Sequence, residues 1–214
     1  LAMLGHELRN PLAPISTALQ LMRLKSNVGA ERERAVIERQ VQHLIGLVDD
    51  LLDVSRIAAR RLTLNVVEMD LSETVREVAT RFAEVCTQEG TPMTVFADEP
   101  VVGMWDPLRV EQVVTNLVSN AIKYGRGQPI EITARVEGSR AHLIVRDHGI
   151  GIAEDYLTRI FDRFERAVLS TSYAGLGLGL YITRQILAAH GGSIEVKSTP
   201  GEGAEFHAWL PIPS

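Results

Sequence analysis

Residues 107–125, which read PLRVEQVVTNLVSNAIKYG, are the stretch that is most informative about the fold. Proline is favourable at the first position of a helix, because the first helical N–H has no partner within the helix. The spacing of the apolar residues predicts a helix from Pro107 to Lys123 with one buried stripe. The stripe consists of Val110, Val113, Val114, Leu117, Val118 and Ala121.

The other flank of this helix carries two amides, an ammonium group and a phenol ring. These are Asn116, Asn120, Lys123 and Tyr124, at positions i, i+4, i+7 and i+8. Asparagine is a poor helix former, so two of them in one helix need a separate reason. Amide oxygens ligate hard cations such as Mg²⁺, a lysine neutralises phosphate, and a tyrosine ring can cover a base. A polar surface without a ligand is the alternative, and this helix alone leaves both interpretations open.

Two glycine-containing segments lie further along the chain. The first follows a predicted strand that ends at Asp147, and it contains Gly149 and Gly151. There a carboxylate can accept a hydrogen bond while the glycines let the backbone approach a ligand closely. The second precedes a predicted helix, whose N-terminus favours an anion; its glycines are Gly175, Gly177 and Gly179. Each signal is weak alone, but together with the helix at 107–123 they predict a nucleotide site.

Outward from these segments, residues 62–214 mix strands and helices without strict alternation. The mixture predicts an α+β domain in which helices cover one face of a sheet. Strands are predicted at 62–69, 94–97, 130–136 and 142–145, helices at 72–88, 154–161 and 178–190, and two closing strands around Pro200-Gly201. Ser72 is the predicted N-cap of the first of these helices.

Residues 1–61 have a different periodicity, which predicts a helical hairpin with a turn at 26–29. The second helix carries a heptad seam made of Ile37, Val41, Leu44, Val48 and Leu51. A lone hairpin buries little apolar surface, so the seam favours a homodimer in which two hairpins form a four-helix bundle. Packing of the hairpin against the remaining residues of the same chain is the alternative.

The composition is that of a globular protein and excludes several classes. One cysteine among 214 residues excludes a disulfide framework and a multi-cysteine zinc site. The net charge of −5 gives no indication of a nucleic-acid partner or an anionic-membrane surface. No apolar stretch approaches the roughly 20 residues of a membrane span. We therefore expect no membrane contact within this chain and a cytoplasmic location.

A histidine near the start of the chain stands apart from the predicted nucleotide site. His6 is followed by Glu7, and Asn10 lies one helical turn further on the same face. A lone histidine on a helix is usually structural, but this one has a carboxylate and an amide beside it in the segment predicted to dimerise. The arrangement suggests a phosphoryl acceptor.

Five segments resemble, in order, the sequence boxes of bacterial sensor histidine kinases. HELRNP from His6 resembles the H-box, and NLVSNAIKYG from Asn116 resembles the N-box. DHGIGI from Asp147 and GLGLGL from Gly175 resemble the two glycine boxes, and IFDRF between them resembles the phenylalanine box. The resemblance covers essentially the whole chain. It implies a dimerisation and histidine-phosphotransfer hairpin at 1–61 and a catalytic ATP-binding domain, an α/β sandwich of the Bergerat type, at 62–214.

The resemblance also implies a role for each matching residue. His6 would be phosphorylated from Mg–ATP, Glu7 would accept a proton from the imidazole, and Asn10 matches the family's phosphatase position. Asn120 would be the principal Mg²⁺ ligand. The other expected contacts are Asn116 and Lys123 near the phosphates, Tyr124 and Asp147 at the adenine, Gly149 and Gly151 in its pocket, Gly175, Gly177 and Gly179 at the lid and the following helix, and Arg163 and Arg166 at the γ-phosphate.

The implied function is an ATP-dependent protein-histidine kinase, a phosphotransferase that passes its phosphoryl group to an aspartate on the receiver domain of a response regulator. The family's hairpin begins well before its histidine, so we interpret the chain as a fragment of a longer protein. Whether that longer protein is anchored in a membrane stays open at this point. A non-catalytic nucleotide-binding scaffold of the same fold is one alternative. An ATPase of another class is a second, but it needs a carboxylate on the N-box helix, and Glu111 is not at the matching position.

Overall fold

The computed structural model describes residues 2–24, 31–59, 62–125, 127–165 and 176–212. The chain divides into two compact units. One consists of Leu1–Arg61 with Ser170–Leu178, and the other consists of Leu62–Leu169 with Gly179–Ser214. The first unit contains the helical hairpin and the second contains the β-strands.

The hairpin consists of α1 (Ala2–Leu24) and α2 (Glu31–Ala58), which pack against each other. Leu47 of α2 is buried, whereas Val41 and Val48 of the predicted heptad seam are exposed. Ile37, Leu44 and Leu51 of the same seam are half-buried, so one hairpin covers the predicted seam only in part. Within the described residues, no helix is both long and apolar enough to cross a membrane.

The second unit contains a five-stranded sheet and a two-stranded sheet. Its elements are β1 (Val67–Asp70), α3 (Leu71–Glu89), β2 (Met93–Phe96), β3 (Val102–Trp105), α4 (Pro107–Gly125), β4 (Ile130–Glu137), β5 (Arg140–Asp147), α5 (Glu154–Leu157), α6 (Gly179–Ala189), β6 (Ser193–Thr199) and β7 (Gly203–Pro211). The large sheet has the order β2-β4-β5-β7-β6, and β1 pairs with β3. Only β2 and β4 are parallel among the described pairs.

Helices α3, α4 and α6 cover one face of the large sheet. Strand β5 shows the alternation that this requires. Leu143 and Val145 are buried towards the helices, whereas Arg146, the next residue along the strand, is exposed. The six residues of the predicted apolar stripe on α4 are all buried. The predicted α+β fold, an α/β sandwich with helices on one sheet face, is confirmed.

The start of α3 differs from the prediction. Its N-cap is Asp70, whose Oδ1 accepts hydrogen bonds from the Ser72 N–H and the Val101 N–H, both at 2.8 Å. Ser72 lies inside the helix, where its buried hydroxyl donates to the Glu99 carbonyl oxygen at 2.7 Å. Both residue types are good caps. Asp70 takes the role because β1 ends there in extended conformation.

Two further elements differ from the predictions. Strand β3 was not predicted, because Gly103 interrupts its short apolar pattern. The glycine is needed, since a Cβ at Gly103 would overlap the indole ring of Trp105, which is buried and donates to the Pro211 carbonyl oxygen at 2.9 Å. The helix predicted at 154–161 ends already at Leu157 and continues as turns.

Candidate nucleotide-binding site

The polar flank of α4 is only half-buried, in contrast to the apolar stripe of the same helix. Its members are Asn116, Asn120, Lys123 and Tyr124. The Lys123 ammonium nitrogen lies 4.9 Å from the centroid of the Tyr124 ring, a cation–π distance. The flank therefore presents amide, ammonium and aromatic groups along one accessible line, as the sequence predicts.

Asn116 connects α4 to the first turn of α6. Its Nδ2 lies 3.2 Å from the Gly179 carbonyl oxygen and 3.4 Å from the Thr183 hydroxyl oxygen. A carbonyl oxygen only accepts hydrogen bonds, so the amino end of the Asn116 amide must face α6. These contacts fix the Asn116 amide against the start of α6.

Asp147 ends β5 and is buried, with 4% of its surface exposed. Its Oδ1 accepts a hydrogen bond from the Gly149 N–H at 2.9 Å. Burial raises the pKa of the Asp147 carboxyl, while hydrogen bonds from the Gly149 and Ala204 N–H groups oppose that increase. A buried carboxylate held by main-chain donors is oriented to accept a further hydrogen bond from a ligand.

The segment after Asp147, here called the glycine loop (residues 148–152), packs against the end of α4. A Cβ at Gly149 would overlap the Tyr124 carbonyl oxygen and crowd the Gly125 Cα. The Ile150 N–H donates to the same Tyr124 carbonyl oxygen at 3.2 Å. The structure therefore brings the predicted Asp147 segment and the predicted α4 flank together.

Gly151 requires its glycine for two reasons. Its φ of 66° lies in the left-handed region, and a Cβ there would overlap the Thr199 carbonyl oxygen. Close packing against main chain thus requires glycine at both 149 and 151, and their contribution to an adenine pocket stays a prediction.

Other predicted site residues are not tested by these contacts. Arg163 donates to the Tyr181 hydroxyl at 2.6 Å and lies over that ring, 4.7 Å from its centroid. Its contact with a γ-phosphate stays a prediction. The side chains of His6, Glu7 and Asn10, and the whole of Arg166 and Gly175, lie outside the described residues.

Three residues at this site were not singled out from the sequence. Thr183 contacts Asn116 from α6, Ser198 hydrogen-bonds the glycine loop, and Gly203 packs against Asp147. Gly203 has a φ of 91°, and a Cβ there would overlap the Asp147 carbonyl oxygen. The Pro200-Gly201 turn signal placed Ser198 and Gly203 on a hairpin, but a local turn signal does not tell what the hairpin packs against.

Family models match both parts of the chain. Residues 105–214 match the "Histidine kinase-, DNA gyrase B-, and HSP90-like ATPase" family, and residues 1–60 match the "His Kinase A (phospho-acceptor) domain" family. The chain belongs to the sensor histidine kinases. It is 33% identical over 223 residues to the sensor histidine kinase GacS of Pseudomonas protegens, covering 100% of this chain and 24% of GacS. The chain thus spans about a quarter of the length of the curated relatives it matches.

Solved structures of histidine kinases share the fold. Full-length ShkA in complex with AMPPNP matches with a TM-score of 0.74 and 28% identity, over 100% of this chain and 46% of ShkA. Histidine kinase ThkA in complex with the response regulator TrrA matches with a TM-score of 0.66 and 27% identity, over 99% of this chain and 60% of that chain. The predicted resemblance and the two-part fold are confirmed.

The donor set of the site fits Mg²⁺ only in combination with phosphate oxygens. Among the described residues, no group of three or more His, Cys, Asp or Glu side chains could hold a metal ion. The polar flank of α4 instead offers the Asn120 amide beside the Lys123 ammonium group. Mg²⁺ is commonly bound by one or two protein oxygens together with substrate phosphates and water. The residues present fit that arrangement and do not fit a metal centre made of protein ligands alone.

Proposed function

We propose that this chain is the catalytic core of a sensor histidine kinase. In this proposal the second unit binds Mg–ATP and the γ-phosphoryl group moves to His6 of the hairpin. The phosphoryl group then passes to an aspartate on the receiver domain of a response regulator, as the ThkA complex with TrrA supports. Because ATP is the phosphoryl donor, we place the reaction in the cytoplasm.

One observation carries the proposal: α4 contacts both the glycine loop and the first turn of α6. Tyr124 and Gly125 at its end lie against Gly149, and Asn116, about two turns earlier in the helix, hydrogen-bonds Gly179. Three segments that are distant in sequence thus meet along the polar flank of one helix. Each supplies a different part of a nucleotide site, namely a carboxylate for the base, amides and a lysine for the phosphates, and a helix N-terminus.

In the proposed reaction the chain contributes positioning and charge neutralisation, which dominate phosphoryl transfer. Asp147 would accept a hydrogen bond from the adenine amino group, and Asn116 and Lys123 would contact the phosphates. Mg²⁺ bound at Asn120 would neutralise the charge of the phosphate oxygens. These contacts would hold the γ-phosphoryl group in a defined position and exclude water from it.

The hairpin would supply the acceptor. An imidazole nitrogen of His6 would attack the γ-phosphorus while the bond to the ADP oxygen breaks, and Glu7 would take the proton from the other ring nitrogen. Asn10 would orient water against the regulator's phosphoaspartate, so that the same core also acts as a phosphatase.

The hairpin surface supports a homodimer. Among the described residues of α1 and α2, seven large apolar side chains are exposed: Leu12, Leu19, Leu21, Val41, Ile45, Val48 and Leu52. The last four follow one another at alternating steps of four and three residues, which is the spacing of a coiled-coil seam. A second hairpin packed on this stripe would complete a four-helix bundle. Sedimentation velocity of Val48→Glu against the wild type tests this, with a monomer expected for the variant.

The proposed nucleotide site is tested by Asn120→Ala in the same chain, with Ser119→Ala as the matched control. Ser119 is the neighbouring residue on α4 and is exposed. We expect Asn120→Ala to lose Mg²⁺-dependent phosphorylation from ATP and Ser119→Ala to retain it. Equal labelling of the two variants would refute the assignment of Asn120. Nucleotide binding by the wild type without any labelling would instead support the scaffold alternative.

A further inference from the structure

The hairpin formed by β6 and β7 contacts the glycine loop, which also packs against the end of α4. The Gly201 N–H donates to the Ile150 carbonyl oxygen at 2.8 Å, and the Ile152 N–H donates to the Ser198 hydroxyl oxygen at 2.8 Å. The first bond is between main-chain groups and does not depend on side-chain identity. The second depends on one hydroxyl group and therefore on the residue at position 198.

The Ser198 hydroxyl has both of its hydrogen-bonding functions in use. It donates to the Gly203 carbonyl oxygen at 2.5 Å. Because a carbonyl oxygen only accepts, the hydroxyl proton points to Gly203 and a lone pair is left for the Ile152 N–H. One side chain thus joins β6, the first residue of β7 and the last residue of the glycine loop.

The first residues of β7 also contact the other end of the same loop. Gly203 packs so closely that a Cβ would overlap the Asp147 carbonyl oxygen and crowd the His148 Cα. The Ala204 N–H donates to the Asp147 carboxylate. Ser198 therefore fixes the end of the loop at Ile152 to the same strand that fixes its beginning at Asp147.

We propose that Ser198 is a positioning residue for the adenine base: through Ile152 and Gly203 its hydroxyl holds the glycine loop in the conformation in which Asp147 binds the nucleotide. The inference rests on the proposed nucleotide site. Ser198 acts through the glycine loop, which carries none of the residues proposed to contact the phosphates. Its loss removes binding energy that substrate and transition state share, so it weakens nucleotide affinity without slowing transfer at saturation.

The test compares Ser198→Ala, Ser198→Thr and Ser193→Ala in the full chain. Threonine keeps the hydroxyl, and Ser193 is an exposed serine on the same strand. Calorimetry with Mg–ADP measures binding that includes the base, and titration with Mg–tripolyphosphate measures binding of phosphates alone. We expect Ser198→Ala to weaken Mg–ADP binding about tenfold, which is the size of one lost hydrogen bond to a buried N–H. Tripolyphosphate affinity and kcat at saturating ATP stay within about twofold, and Ser198→Thr restores ADP affinity.

Two results would overturn the inference while leaving the proposed function intact. One is equal Mg–ADP affinity of Ser198→Ala and Ser193→Ala. The other is a parallel loss of ADP affinity, tripolyphosphate affinity and kcat in Ser198→Ala, which would make Ser198 a general structural residue. Failure of the wild type to bind Mg–ADP would instead contradict the proposed function itself, so the two failures are distinguishable.

Discussion

Gly149 packs directly against Tyr124: the Tyr124 carbonyl oxygen occupies the space that a Cβ on Gly149 would need. The obstruction is main chain at the end of α4, so it cannot move aside as a flexible side chain would. We expect Gly149→Ala to displace the glycine loop and to lower the affinity for Mg–ADP by at least about tenfold. Isothermal titration of the variant and the wild type measures the change.

The matched control for this substitution is Gly46→Ala. Gly46 lies in α2, and a Cβ there would meet nothing within 4 Å. Alanine is the better helix former by about 1 kcal/mol, so this variant should keep its nucleotide affinity and unfold at an equal or higher temperature. An unchanged ADP affinity in Gly149→Ala would show that the loop does not form part of the nucleotide site.

The burial of Asp147 predicts a pH dependence of nucleotide binding. Burial raises the pKa of this carboxyl, so it takes up a proton at a higher pH than an ordinary aspartate does. The protonated form is a weaker acceptor for an adenine amino group. We therefore expect the affinity for ADP to fall as the pH decreases, beginning above the ordinary aspartate pKa.

Asp147→Asn isolates this contribution, because the amide is uncharged at every pH. We expect the variant to bind ADP at least about tenfold more weakly at pH 8, the usual size of a lost hydrogen bond to a charged group. The ratio of wild-type to variant affinity should then shrink as the pH is lowered, and in that ratio the titration of ADP itself cancels. A ratio that stays constant from pH 8 down to the ordinary aspartate value of 3.8 would contradict the assignment.

A pair of buried histidines on the open face of the large sheet predicts a pH dependence of stability. His142 Nδ1 lies 2.6 Å from Glu137 Oε2, and its Nε2 lies 3.0 Å from His207 Nδ1. Burial lowers the pKa of His142, and the charges of His207 and Arg135 add to that effect, while the contact with Glu137 opposes it. The folded state thus binds a proton at His142 less readily than the unfolded state does.

The sign follows from that difference. As the pH falls through the ordinary histidine value of 6.5, the unfolded state takes up a proton that the folded state does not. The free energy of unfolding then decreases until the pH passes below the lowered pKa of His142. His142→Gln should flatten this slope between about pH 7 and pH 5 in urea unfolding. Thr133→Ala, which changes a residue of the same sheet face without a titratable group, should keep the slope, and an equal slope in both variants would contradict the prediction.

The site could be predicted from the sequence where its signal is local. The α4 stripe and flank follow from helical spacing, and the Asp147 segment follows from a carboxylate placed beside glycines. Contacts between segments could not be predicted in this way. Ser198 and Ile152 are 46 residues apart and form their hydrogen bond only because β7 brings β6 beside the end of β5.

Where the prediction was wrong, two local signals competed and tertiary context decided between them. Asp70 and Ser72 are both good N-caps, and the end of β1 makes Asp70 the cap of α3. Gly103 weakens the strand signal of β3, although the Trp105 ring requires a glycine at that position.

The central claim is that this chain transfers the γ-phosphoryl group of ATP to His6, and incorporation of label from γ-labelled Mg–ATP tests it most directly. The comparison is between the wild type, His6→Gln and His43→Gln, which replaces the other histidine of residues 1–61. We predict label that is lost in acid, is retained in base, is absent from His6→Gln and is present in His43→Gln. Acid-labile label that persists in His6→Gln would contradict the account.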